Sequence, residues 1–163
     1  MLFNKIDLIN DMKIFFVFSF VLLTCGFANG QTENPVYDSA LAKKLGADDY
    51  GMKKYIFVIL KTGTNRTSEK PFLDSCFKGH LDNIKRLAAE KKLVVAGPID
   101  KNADAYRGIF ILNVADSNEA RLLVNSDPAV NAGILDAVLY NWYGSAALPE
   151  YLEASEKIWK KNF

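Results

Sequence analysis

The hydrophobic positions of this chain change their spacing several times, and each spacing fits a different element. An unbroken apolar run, Ile14 to Leu23, follows Lys13 and gives way to small and polar residues ending in Ala28, Asn29 and Gly30. A basic start, a short apolar stretch and small residues ahead of a cut are the parts of a secretory signal, with Met12 as a candidate start. The run is shorter than the roughly 20 residues that cross a bilayer as a helix. Residues 1–30 are therefore expected to be a removable signal peptide, and the protein to be secreted or periplasmic. Cys25 at the end of the run is the basis of the alternative, a membrane-anchored lipoprotein, although Thr24 before it fits a lipidation signal poorly.

Beyond Gly30 the spacing becomes that of a folded domain. Val36, Tyr37, Ala40, Leu41 and Leu45 keep helical register up to Gly46, which predicts an N-terminal helical extension over residues 31–53. Tyr55 to Leu60 is a continuous β-favouring run closed by the turn-rich Thr62-Gly-Thr-Asn65, the first strand. From Phe72 onward Leu73, Cys76, Phe77, Leu81, Ile84, Leu87 and Ala88 form one apolar face, with Asp74, Lys78, Asp82, Lys85 and Arg86 opposite it, the spacing of an amphipathic helix. Leu93 to Ala96 reads as a strand stopped by Gly97-Pro98, and Gly108 to Val114 as its hairpin partner across a long loop. Asp116 and Glu119 open a second helix with Ala120, Leu123 and Val124 on its apolar face. Asp127-Pro128 starts a short turn that Gly133 closes, and Leu135 to Tyr143 is the fourth strand.

The order βαββαβ predicts an α+β, ferredoxin-like domain over residues 54–145, an antiparallel four-stranded sheet with helices on one face. Leu148, Tyr151, Leu152, Ser155 and Trp159 predict a C-terminal helix over residues 146–163. The strands are apolar at nearly every position rather than alternating, which implies burial of both sheet faces. A homodimer packed sheet to sheet would provide it.

Composition narrows the function. A chain of 163 residues, half of them hydrophobic, has room for one core. The net charge of +1, with the pairs Lys43-Lys44, Lys53-Lys54 and Lys91-Lys92 scattered among carboxylates, offers no extended field for nucleic acid. With the signal removed, Cys76 is the one remaining cysteine, so no intrachain disulfide is expected. One histidine and one cysteine make no zinc set, and no Asp-rich EF-hand loop occurs, so neither metal nor other cofactor is expected. Asn65-Arg-Thr67 matches a glycosylation acceptor, a short pattern that chance explains.

The chemistry converges on His80, the single histidine, in register with Leu73, Cys76, Phe77, Ile84 and Leu87 and so on the inward face of its helix. An imidazole there needs a hydrogen-bonding partner. Satisfied by a backbone carbonyl it is a core residue; paired with a carboxylate it is a proton-transfer group, because an acceptor on one ring nitrogen makes the other a better base. Asp127 is the candidate carboxylate. An Asp before Pro is also a helix cap, and its two oxygens allow both roles at once. Cys76, one turn from His80, permits a Cys/His nucleophilic pair, though a small buried cysteine is the commoner meaning. Tyr140, Trp142 and Tyr143 read as core or interface residues, with Tyr140 and Trp142 assigned to the wall of a pocket for a planar ligand.

Lys78-Gly-His80-Leu-Asp-Asn-Ile84, Leu93-Val-Val-Ala-Gly-Pro98, Arg107-Gly-Ile-Phe-Ile111 and Ser126-Asp-Pro-Ala-Val-Asn-Ala-Gly133 stand in this order. Together, across about Tyr55 to Gly144, they resemble the YciI-like (YCII-related) domain. The resemblance implies a ferredoxin-like fold, a dimeric α/β barrel, and a site whose histidine and aspartate fall on His80 and Asp127; Gly97 and Pro98 join the pocket wall. It places the domain near muconolactone isomerase and a dehydrochlorinase of chlorinated hydroquinones, which implies proton transfer on small organic substrates of isomerase or lyase type. Against this stand a non-catalytic periplasmic module that binds a small molecule or a partner, and a purely structural histidine.

Overall fold

In the computed structural model of the protein, the described residues run from 34 to 161. The expected signal peptide, Cys25 and the final two residues of the expected C-terminal helix lie outside the described residues. Helix α1, Ser39–Leu45, begins where Asp38 accepts from the backbone N–H groups of Ala40 and Leu41 at 2.9 Å each, and stops at Gly46, whose φ of 71° is the left-handed turn that glycine adopts without strain. Val36 and Tyr37, expected within this helix, precede it and are exposed. No residue of α1 is buried.

The sheet contains β1 (Met52–Thr62), β2 (Leu93–Pro98), β3 (Tyr106–Leu112) and β4 (Leu135–Ser145) in the order β2-β3-β1-β4, all neighbours antiparallel. Helix α2, Lys70–Ala89, connects β1 to β2; α3, Ser117–Asn125, and the single turn α4, Pro128–Asn131, connect β3 to β4. Each crossover skips one strand position, and this interleaving is the ferredoxin-like arrangement expected from the order of elements. Strand β1 starts at Met52, before the boundary placed at residue 54, and β2 runs through Gly97 and Pro98, which pair with Ile109 and Gly108 instead of ending the strand. As the edge strand, β2 tolerates a proline that has no N–H to give.

The core lies between the sheet and the helices. Ile56, Val58 and Leu60 of β1 and Phe110 and Leu112 of β3 meet Cys76 and Leu87 of α2, Ala120 and Val124 of α3 and Ala129 of α4. The strands do not bury both faces alike: Phe57 and Ile59, and Ile109 and Ile111 beside them, are only partly covered, and Tyr140 to Tyr143 are exposed. On α2 the buried stripe runs Cys76, Asn83, Leu87, with His80 between; Phe77 and Leu81, expected inside, lie at its border and are exposed.

The C-terminal segment is shorter in helix than its periodicity predicts. A 3-10 turn, Leu148–Glu150, leads into α5, Tyr151–Ser155. Trp159 falls outside it, and its indole N–H donates to the Glu156 carbonyl at 2.7 Å, taking an acceptor that a continuing helix would need for its own backbone. Tyr151 O–H donates to the Val94 carbonyl on β2, so this segment leaves the β4 edge and is fastened to the opposite one. Among the described residues no helix is long and apolar enough to cross a membrane.

Candidate functional site

The site is made where α2 passes α4. The turn α4 forms because Pro128 is pre-set for a first helical position and Asp127 caps it, its Oδ1 accepting from the N–H groups of Ala129 at 2.9 Å and Val130 at 3.4 Å. That leaves Oδ2 facing α2. It stands 2.7 Å from Nδ1 of His80 and 3.4 Å from Nδ2 of Asn83. Asp127 is completely buried, and all four contacts bring a donor to a carboxylate oxygen, the arrangement suited to an ionised group.

A carboxylate only accepts, so the short contact assigns the imidazole proton to Nδ1 and leaves Nε2 with its lone pair. Nε2 has no hydrogen bond among the described residues, and no fully buried side-chain nitrogen or oxygen there lacks one, so Nε2 reaches the surface. The side chain as a whole is 14% exposed. Two aromatic rings set its plane: Phe110 of β3 stacks at 5.8 Å and 20°, and Phe77 meets it edge-on at 6.4 Å and 86°. The ring is thus held on one side by a charge, on one face by the core, and presents one basic nitrogen outward.

Close approach of the two helical elements depends on Gly79, where a β-carbon would lie 2.7 Å from Cγ of Pro128. The connecting loops are also tied together. Gly63 N–H donates to the Ile134 carbonyl at 2.8 Å, Asn65 N–H to the Gly133 carbonyl at 2.9 Å and Asn65 Nδ2 to the Ala132 carbonyl at 3.0 Å. The loop leading into α2 is therefore anchored to the chain that follows α4.

A polar arm extends from Asp127 along α2. Asn83 is buried, and its Oδ1 accepts from Nη2 of Arg86 at 2.7 Å; Arg86 also pairs with Glu90 at 2.9 and 3.1 Å and donates to Oγ of Ser126 at 3.0 Å. Asn83, Ser126 and the stacking Phe110 received no role from the sequence, and Arg86, expected on the polar side opposite His80, turns its guanidinium back to the buried Asn83. The signal available was spacing: Asn83 follows His80 by three residues and Arg86 follows Asn83 by three, which places all three along one side of a helix.

The other sequence candidates are divided by the sheet. Side chains alternate along a strand, and Tyr140 pairs with Phe57, Trp142 with Tyr55 and Gly97 with Ile109, all on the face turned away from the helices. Within one chain, Tyr140, Trp142 and Gly97 are not brought to His80. Pro98, paired with Gly108, lies on the face that carries Phe110. Trp142 instead stacks obliquely on Tyr55 at 5.6 Å. Cys76 is buried in the core with no hydrogen bond to His80. Tyr143 donates to Asp48; that bond pushes the Tyr143 phenol up to about 12 and holds the Asp48 carboxyl below its ordinary value. Among the described residues no three His, Cys, Asp or Glu side chains form a metal-binding group.

Comparison with known proteins gives three findings. The family model described as the YCII-related domain matches residues 56–142, more than half of the chain. An uncharacterised protein of Bacillus subtilis, YjpA, is 31% identical over 64 residues, which are 39% of this chain and 72% of YjpA. Among solved structures, the 5-chloro-2-hydroxyhydroquinone dehydrochlorinase TftG of Burkholderia phenoliruptrix, in complex with 2,5-dihydroxybenzoquinone, aligns with a TM-score of 0.41 and 22% identity, over 53% of this chain and 92% of that one. At that score the alignment bears on neither activity nor site.

Proposed function

The chain belongs to the YCII-related domain family, and on that footing we propose that it catalyses proton transfer on a small organic molecule, with His80 as general acid and base and Asp127 as the group that orients it. The observation that carries this reading is the 2.7 Å contact between His80 Nδ1 and a completely buried Asp127 oxygen, with Nε2 left open. In the reaction, the Nε2 lone pair takes a proton from carbon or oxygen of the substrate. The imidazolium so formed keeps its Nδ1–H on the Asp127 carboxylate, which offsets the new charge without accepting the proton. Return of the proton to another atom of the same molecule is an isomerisation; departure of a leaving group as the substrate loses its proton is an elimination. Neither needs a cofactor in this scheme. General acid–base catalysis of this kind contributes on the order of 10²–10⁴-fold.

The test is a thermal-shift screen of small acids, phenols and lactones against the protein and His80→Ala. Compounds that raise the melting temperature of the first and not of the second support a site at His80. Equal shifts in both, with no compound transformed, favour a binding module that does not use the imidazole.

Two further expectations belong to this proposal. The partly covered apolar face of Phe57, Ile59, Ile109 and Ile111, bordered by exposed Tyr140 and Trp142, supports a homodimer through the open side of the sheet. The pattern of residues 1–30 supports export, secreted or periplasmic; the mass of the protein from cells tests it, since cleavage leaves a chain starting near Gln31 and lipidation a heavier one starting at Cys25.

A further inference from the structure

We propose that Asn83 and Arg86 are positioning residues that set how strongly Asp127 holds the His80 imidazole, an inference that rests on the His80/Asp127 reading above. Arg86 has only donors to offer, so its 2.7 Å contact must be with the oxygen of the Asn83 amide, and the amide nitrogen is turned toward Asp127. Ser126 Oγ also lies 3.3 Å from that oxygen, but its one proton has a shorter acceptor in the Leu123 carbonyl at 2.7 Å, and Oγ itself receives Arg86 at 3.0 Å, so Arg86 is the closer donor to Asn83 Oδ1. A guanidinium on the oxygen polarises the amide and makes its nitrogen a better donor. Asp127 Oδ2 is thus loaded by two donors, His80 Nδ1 and Asn83 Nδ2.

The second donor has a defined effect. It draws charge from Oδ2 and so moderates the pull of the carboxylate on the Nδ1 proton. The proton then stays on the imidazole when Nε2 is protonated, as the proposed reaction requires, instead of drifting to Asp127. Glu90 completes the arm, holding Arg86 from its far side with two contacts. Arg86 and Glu90 are each 46% exposed, so the arm runs from the surface to a fully buried charge.

The readout is the proton resonance of the Nδ1–H in protein labelled with ¹⁵N-histidine, unambiguous because the chain has one histidine. Arg86→Met, at a half-exposed position, and Asn83→Ala should each move it downfield, the alanine change further, because Oδ2 loses part or all of its second donor. Arg86→Lys, which keeps a charge and offers only donors, should restore the original position. If Arg86→Met leaves the resonance in place while Asp127→Asn moves it, the arm is structural and the proposal is wrong while the His80/Asp127 pair stands. If Asp127→Asn also leaves it in place, the pair itself falls and the proposal with it. Should Asn83→Ala fail to fold, the Arg86→Met and Arg86→Lys comparison decides alone.

Discussion

Gly79 packs against the ring of Pro128 so closely that a β-carbon there would lie 2.7 Å from Cγ and 3.0 Å from Cβ. This contact lets α2 approach α4, and through it His80 reaches Asp127. Glycine in a helix interior is usually improved by alanine, by about 1 kcal/mol. Here the opposite sign is expected. A proline ring cannot fold away, so Gly79→Ala should overpack the crossing and destabilise by about 1–3 kcal/mol, read as a lower urea midpoint. A rise in the midpoint would show that the two elements separate freely.

Asp127 caps α4 and receives His80, so its removal should cost more than a cap. Asp127→Ala leaves the buried Asn83 amide and the Nδ1–H without an acceptor and should cost about 2–4 kcal/mol by chemical denaturation, above the ~1 kcal/mol typical of an N-cap. A loss confined to the cap value would mean that the contacts to α2 contribute nothing net.

The Tyr143 and Asp48 bond gives stability a pH dependence at both ends of the range. Asp48 is held below its ordinary value of 3.8, first by Tyr143, so its contribution is present above that value and is lost as pH falls through the lowered one. The Tyr143 phenol is raised from 10.0 to about 12, first by Asp48, so its contribution is present below pH 10.0 and is lost as pH rises toward about 12. Burial also raises Tyr55 and Tyr151, so a late phenolate step alone does not identify Tyr143. Carboxyl-resolved NMR titration does: Tyr143→Phe should raise the Asp48 midpoint, and an unchanged midpoint would remove the bond from solution.

A charge on the open sheet face should separate the proposed dimer. Phe57 and Ile111 pair across β1 and β3 on that face, and Phe57→Glu should give a monomer in sedimentation velocity where the unaltered protein is dimeric. A stable dimer in Phe57→Glu would place the interface elsewhere.

The order of elements was legible because each strand is a β-favouring run closed by turn residues and α2 carries a 3.6-residue period. The caps at Asp116 and Asp127 were legible too, since an Asp before a helix start has a local reason to be there. The side of the sheet was not. Continuous apolar strands such as Ile56 to Leu60 hide the alternation that would have put Tyr140 and Trp142 opposite His80, and only the pairing register reveals it. The C-terminal helix is shorter than its spacing predicts because Trp159 keeps helical spacing while its indole takes a backbone carbonyl. Asn83 escaped notice for a different reason: a buried amide is a site component only through partners, and Arg86 and Asp127 are identified as its partners by the fold.

The central claim, that His80 moves a proton with Asp127 behind it, is tested most directly by solvent exchange. Compounds that shift the melting temperature would be incubated with protein in D2O and followed by proton NMR for loss of carbon-bound signals. The account predicts deuterium incorporation or conversion with the unaltered protein, a fall of about 10²–10⁴-fold in His80→Gln, and a smaller fall in Asp127→Asn. Exchange that continues undiminished in His80→Gln would contradict it.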